Sequence, residues 1–397
     1  MQQRWSFLLM SLVASSMLFV SCKKEYSPDE TLPISYSPSV IVGSNNQVLY
    51  AVKPTSGEKN WEIGLPCPIV ASPVVYNGSV YVASSNADTI YKINSRTGQI
   101  TKKITYSGGG AGVKATPITD GNLLYVAAMN GTLYVIDTGT YNTKWTFSAS
   151  GPLESSPTIH NGKLYFASTA GTVYCLDKTS GVATPPAIWS LSIPGASFVS
   201  SPAVAEPYLY IGSITDSNMY CIYLEVPNTT TTGIMRWSYK TKGAIRSSPA
   251  AYAGTCIFGC NDFRVYCLDT AIDIPMGITT PELRWVDSMH SEVVSSPFAY
   301  NQVVYVGCKD YRVYALRIIN GGVKWSFSSN GVITSSPVAY NGMVYIGSYD
   351  KYLYGLDTAR GTLKWKANIN GQIECSPVVD DLSKITGYNS QVSGMTN

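Results

Sequence analysis

Charge is scarce in this sequence: only 13% of its 397 residues are Asp, Glu, Lys or Arg, and no basic run extends beyond Lys23-Lys24 or Lys102-Lys103. Counterion-release binding needs clustered cations, so nucleic acid is excluded as the main partner. Histidine is scarcer still, with His160 and His290 alone. No two cysteines are adjacent and no CxxC occurs, so neither a zinc site nor a regular disulfide framework is indicated. Gly108-Gly109-Gly110 lacks the lysine and following helix of a phosphate loop and reads as a flexible connection. No nucleophile–base set can be assembled from spacing, and the Ser-Ser pairs that recur before proline report backbone geometry instead of a special serine. No catalytic residue and no metal ligand is assigned.

The first residues read as a leader. Arg4, the apolar stretch "FLLMSLVASSMLFV" at 7–20 and the Ser21-Cys22 step make a secretory signal over 1–21, too short to cross a bilayer as a stable helix. Its removal takes the formal charge from +3 to +2. The Ser21-Cys22 junction resembles a bacterial lipoprotein signal, although Phe19 stands where that family usually has leucine. The resemblance implies that Cys22 is diacylated and becomes the N-terminus. Lys23, in place of aspartate, resembles signals that permit outer-membrane sorting, with the facing left open. "KKEYSPDETLPISYSP" is polar and aperiodic, so 22–38 is expected to be a flexible tether, 39–382 the folded body and 383–397 a tail without repeat signal.

The body repeats itself. A Ser/Thr-Pro step (Ala-Thr-Pro in one copy) precedes an apolar run at Pro73, Pro117, Pro157, Pro202, Pro249, Pro297, Pro337 and Pro377, at intervals of 44, 40, 45, 47, 48, 40 and 40 residues. A fixed period of this size marks a repeat architecture. Asn77-Gly78, Asn161-Gly162 and Asn341-Gly342, with Asp120-Gly121, provide the dipeptide that a two-residue hairpin demands. Each unit then reads as four short antiparallel strands. In "VVYVGC" (303–308) odd and even positions are both apolar, so each sheet must be covered on both faces. Stacking such sheets around an axis gives an all-β, eight-bladed β-propeller of four-stranded blades.

The two ends explain the count. Residues 40–64 hold a second, third and fourth strand without a first, and 375–380 ("CSPVVD") hold a first strand with nothing after it. Together they complete one blade, and the C-terminal strand closes the ring by removing two unpaired edges.

"LDTARGTLKW" at 356–365, "LDKTSG" with Trp189 after it, and "VKPTSGEKNW" ending in Trp61 resemble the tryptophan-docking repeat of the pyrroloquinoline-quinone-like β-propellers. The resemblance covers nearly the whole expected mature chain. It implies that Trp61, Trp145, Trp189, Trp237, Trp285, Trp325 and Trp365 dock neighbouring blades, a role that suits a large apolar ring with one N–H. The second unit, "TGQITKKI", has no tryptophan, and its joint is expected to be weaker.

That family contains quinoprotein dehydrogenases, which hold the quinone with calcium in the axial funnel, and non-enzymatic envelope lipoproteins similar to BamB. Fold alone does not choose between them. Without adjacent cysteines, the expectation is a lipid-anchored, monomeric, non-catalytic propeller without a cofactor, binding an envelope protein partner. A quinone-binding redox protein is the alternative, and a carbohydrate-binding surface lipoprotein a weaker one. Candidate axial-rim residues stand three before each repeat proline: Lys114, Glu154, Arg246 and Glu374 are the polar long ones, and Lys114 and Glu154, on adjacent blades, could pair. His290 is added from the loop leading to the next inner strand, whereas His160 reads as an exposed hairpin residue. The eight body cysteines mostly stand where sister units have Ala, Ser or Val, so they read as small buried apolar residues; Cys256–Cys260 and Cys260–Cys308 are the pairs to test for a disulfide.

Overall fold

The computed structural model describes residues 37–225, 232–270, 281–381 and 384–386; the leader, Cys22 and most of the tether lie outside them. Eight antiparallel sheets follow one another, all four-stranded except the first, which has five. We number the blades in chain order: blade 1 is 39–64 with 378–386, blades 2 to 8 begin at Val74, Ile118, Thr158, Ala203, Ala250, Phe298 and Val338. Within blades 2 to 8 the first strand is innermost and the fourth outermost, and in blade 1 Val378–Asp381 takes the place of the first strand.

Turn chemistry explains why the strands fall where they do. Asn77-Gly78, Asn161-Gly162 and Asn341-Gly342 all have positive φ, as a type I′ hairpin requires. Blade 3 differs from expectation: Asp120 belongs to its first strand, the loop is Gly121-Asn122, and of these only Gly121 is left-handed. The second strands are buried along their length except for a half-buried first residue in several blades, which confirms that both faces are covered. Fourth strands alternate, with the tryptophan buried and its neighbours exposed. In seven blades the register between third and fourth strands shifts beside this position, the mark of a β-bulge, which re-aims a side chain.

The ring closes as the two partial repeats predict. Val378–Asp381 pairs with Ser39–Gly43 in the register Ser39↔Asp380, Val40↔Val379, Ile41↔Val378. The second residue of each Ser-Ser step adds a girdle: Ser248 N–H donates to Ser296 Oγ (2.9 Å), Ser296 to Ser336 (2.9 Å), Ser336 to Ser376 (3.1 Å) and, across the closure, Ser376 to Ser72 (2.9 Å). Thr116 to Ser156, Ser156 to Ser201 and Ser201 to Ser248 continue it. Buried backbone N–H groups need such partners, and here each is satisfied by the next blade. The first serine of the step works within its own blade, as where Ser295 Oγ accepts from Gly307 N–H at 3.0 Å; in blade 1 Cys375 takes that place against Gly43.

One strand was not expected. Lys384–Thr386, from the segment read as a tail, pairs antiparallel with Val378–Asp381 on the inner edge of blade 1.

Candidate functional site

Two kinds of position could carry function: the joints between blades and the ring face that carries the loops into the inner strands, together with the turns between second and third strands. The joints come first because they orient the face.

At most joints a tryptophan lies under a left-handed glycine of the next blade. A Cβ on Gly98 would come within 2.7 Å of Trp61, on Gly233 within 2.4 Å of Trp189, on Gly321 within 2.7 Å of Trp285, on Gly361 within 2.4 Å of Trp325 and on Gly57, across the closure, within 2.4 Å of Trp365. Glycine is the residue that permits both the close approach and the positive φ. The indole N–H groups donate to the same turns: Trp61 to Ser95 O (2.8 Å), Trp285 to Ile318 O (2.7 Å), Trp325 to Thr358 O (3.0 Å) and Trp365 to Pro54 O (2.8 Å). Trp145 packs on Tyr125 and Trp237 on Tyr210.

The joint from blade 2 to blade 3 is built differently. Lys102, opposite Lys92, occupies the place that Trp61 and Trp325 hold opposite alanines. Tyr141 takes the glycine's place: its N–H bonds to Asp137 O as Gly361 N–H bonds to Asp357 O, and its φ is +63°. Lys102 Nζ lies 4.9 Å and Lys92 Nζ 5.4 Å from the Tyr141 ring centroid, and Lys92 also donates to the Tyr141 hydroxyl at 3.3 Å. The expected weak joint is therefore a reciprocal exchange, Trp/Gly for Lys/Tyr, held by cation–π contact.

On the loop face the structure separates the expected rim residues. Lys114 Nζ and Glu154 Oε1 meet at 3.3 Å across blades 3 and 4. Glu374 accepts from Tyr349 Oη (2.6 Å) and Asn45 Nδ2 (3.2 Å), tying blade 8 to blade 1. Both pairs are spoken for within the ring. Arg246 is exposed, with no hydrogen bond or ion pair among the described residues. His290 reaches away from the inner strands to the second-to-third-strand turn of blade 7, 3.3 Å from Tyr314 Oη and 3.5 Å from Asp310 Oδ2. His160 sits at its hairpin, 3.0 Å from Glu206.

Aspartates in those turns fix the loops. Asp262, Asp310 and Asp350 each accept the hydroxyl of a tyrosine four residues on, at 2.6, 2.6 and 2.5 Å, as Asp216 does from Tyr220. Burial, then the carboxylate beside it, pushes each phenol up. The triple glycine is held in the same way, with Gly108 and Gly110 N–H donating to Asp88 Oδ2 at 2.7 and 2.8 Å, so it is tied down where flexibility was expected.

Among the described residues no three His, Cys, Asp or Glu side chains converge as a metal-holding group. All eight body cysteines are buried free thiols. Burial pushes Cys260 up to about 11 and Cys308 up to about 12, and each donates to a loop carbonyl, Gly243 O and Ser291 O, at 3.3 and 3.4 Å. These are packed thiols without thiolate character.

Comparison with known proteins agrees with the architecture. A stretch of 175 residues, 40% of this chain and 20% of its relative, is 31% identical to serine/threonine-protein kinase AfsK of Streptomyces griseus. A stretch of 205 residues, 49% of this chain and 50% of its relative, is 26% identical to outer membrane protein assembly factor BamB of Salmonella typhimurium. The chain thus spans half or less of the length of these curated relatives. Among solved structures, BamB from Moraxella catarrhalis superposes with a TM-score of 0.62 at 16% identity, over 78% of this chain and 88% of that one, a likeness of fold. The family model described as outer membrane protein assembly factor BamB matches residues 23–101, 101–271 and 274–391, and this chain belongs to that family.

Proposed function

We propose that the protein is a lipid-anchored envelope scaffold that uses its loop face to hold a protein partner during the assembly of outer-membrane proteins, without catalysing a reaction. The observation that carries this reading is the family match over nearly all of the body. The chemistry of the side chains agrees with it: the thiols are packed, the acidic turn residues are consumed by tyrosines, and no donor cluster is assembled among the described residues. A rigid ring with conformationally fixed loops suits recognition of a surface, because little ordering entropy is lost on binding.

The test is depletion in the native host. Loss of the protein is expected to lower the content of β-barrel proteins in isolated outer membranes, and Cys22→Ala is expected to shift the chain out of the membrane fraction with the same consequence. Unchanged outer-membrane protein content on complete depletion would remove the assembly role. Saturable uptake of pyrroloquinoline quinone with calcium at micromolar concentration, followed by dye reduction, would replace it with the redox reading.

A further inference from the structure

The residue immediately before the third strand is left-handed in seven blades. Blades 3 and 4 use glycine there, Gly131 and Gly171, at φ +82° and +81°. Blades 6 and 7 use large aromatics instead: Phe263 at +69° and Tyr311 at +72°. A bulky side chain at positive φ is a conformational outlier, and such outliers point to function when the fold offers an unstrained choice. Neither ring repays the strain by burial, since Phe263 is 48% and Tyr311 50% exposed.

The two rings belong to one surface. Phe263 O accepts from Met289 N–H at 2.7 Å, the next residue is His290, whose side chain is 80% exposed, and its ring lies 3.5 Å from Asp310, the residue before Tyr311. The sequences around them match, "NDFRVY" at 261–266 and "KDYRVY" at 309–314, so each aromatic is followed by an arginine, Arg264 and Arg312. Lys242 and Arg246 stand exposed on the loop before blade 6, and Lys351 on the same turn of blade 8. Acidic groups nearby are already engaged: the Asp262 and Asp310 side chains are 6% and 8% exposed and bound to tyrosine hydroxyls, Asp262 also lies 3.8 Å from the half-buried Arg264, Glu292 pairs with Lys309, and Asp287 accepts from Ser288 N–H. What faces outward is aromatic and basic. A sugar site would want outward carboxylates to accept hydroxyls, and here Asp262 and Asp310 are turned in while Glu292 is held by Lys309.

Building on the scaffold reading above, we propose that Phe263, Tyr311, Arg264, Arg312 and His290 form the docking surface for its partner, and that the partner contributes an acidic segment bearing apolar side chains. Exposed aromatics and arginines are the residue types that dominate binding energy at protein interfaces, and the basic surround supplies charge complementarity.

The strain makes the test clean, because glycine is the residue the backbone prefers there. The full chain in detergent, with Phe263→Gly, Tyr311→Gly or both, is compared by thermal unfolding and by fluorescence anisotropy of a labelled peptide alternating Glu with Leu and Phe. A second peptide carries Lys in place of Glu, and maltoheptaose is a third probe. The acidic peptide is expected to bind saturably, more weakly as salt rises, and about ten-fold more weakly in the double variant, with the unfolding temperature unchanged or raised. A lowered unfolding temperature in both variants, equal peptide affinity in the double variant, no binding of the acidic peptide to the unaltered chain, or preference for the Lys peptide or the oligosaccharide would each overturn the proposal. Weakened peptide binding in cells whose outer-membrane protein content stays normal would uphold the surface and remove the assembly role instead.

Discussion

At the joint between blades 7 and 8, Gly361 combines two requirements in one residue: φ of +69° and a Cβ position 2.4 Å from the Trp325 ring. Gly342, at φ +76°, has nothing within 4 Å of its Cβ position. Gly342→Ala should therefore cost only the left-handed penalty, ~1 kcal/mol, whereas Gly361→Ala should cost about 3 kcal/mol, since the indole must also move; urea unfolding of the two variants separates the contributions. Equal losses would mean that the joint yields freely. The exchanged joint makes a sharper prediction. Lys102→Trp places an indole beneath Tyr141, and Tyr141→Gly leaves Lys102 without its ring and Lys92 with Tyr81 alone, so each alone should destabilise. Together they rebuild the arrangement used elsewhere, and a double-mutant cycle should show a favourable coupling of about 1 kcal/mol or more. The sequence displays Lys102 as a missing tryptophan, but its compensation stands 39 residues away in the next unit, and a repeat read one copy at a time does not connect them. Phe263 and Tyr311 were missed for the same reason. Their signal is present when "DFR" and "DYR" are aligned with "NGT" at 130–132 and "AGT" at 170–172, where glycine marks the left-handed position.

Among the elements, the inner strands depend on one another through their hydroxyls. Ser296→Ala should leave the buried Ser248 N–H without its acceptor and cost ~1–3 kcal/mol, readable as a lower urea midpoint with unchanged slope; an unaffected midpoint would show the girdle to be incidental. Recurrence alone made these serines legible as backbone chemistry, but not their direction, since the acceptor lies on the following blade. The third-to-fourth-strand turns give a pH dependence. Backbone N–H groups of Arg360 and Ala359 hold the Asp357 carboxyl below its usual range, Thr140 and Gly139 do so for Asp137, and Thr179, by side chain and backbone, for Asp177. With folded values below the ordinary 3.8, their contribution is complete above that pH and is lost as the pH falls below it. Stability measured from pH 5 to pH 2 should fall, and fall less steeply in the Asp137→Asn, Asp177→Asn, Asp357→Asn triple variant, which already lacks this contribution.

For the whole molecule, closure is the decisive contact. It combines the pairing of Val378–Asp381 with Ser39–Gly43, the Ser376–Ser72 bond and Trp365 under Gly57. Deleting 375–397 removes the first two and exposes the inner edge of blade 1. Val378 and Val379 alone bury enough surface that the loss should be about 3 kcal/mol or more, with a broadened thermal transition as the ring becomes an open array. Deleting 387–397 should leave the unfolding temperature nearly unchanged; a large effect there would place stabilising contacts in the tail. The circular count of eight was legible because half-repeats at the two ends can be added. The extra strand at 384–386 was not, because it follows no repeat pattern and is recruited by an edge that exists only once the ring has formed.

A clasp made from both ends also sets an order of events during synthesis. Seven and three-quarter blades emerge with strand 39–43 unpaired on one edge and the outer face of blade 8 bare, and neither can be covered until residue 381 has left the ribosome or the export channel. For most of its making the polypeptide is a sticky, unfinished strip, so the step at which it is most open to mispairing or to proteolysis is the last one before the clasp shuts.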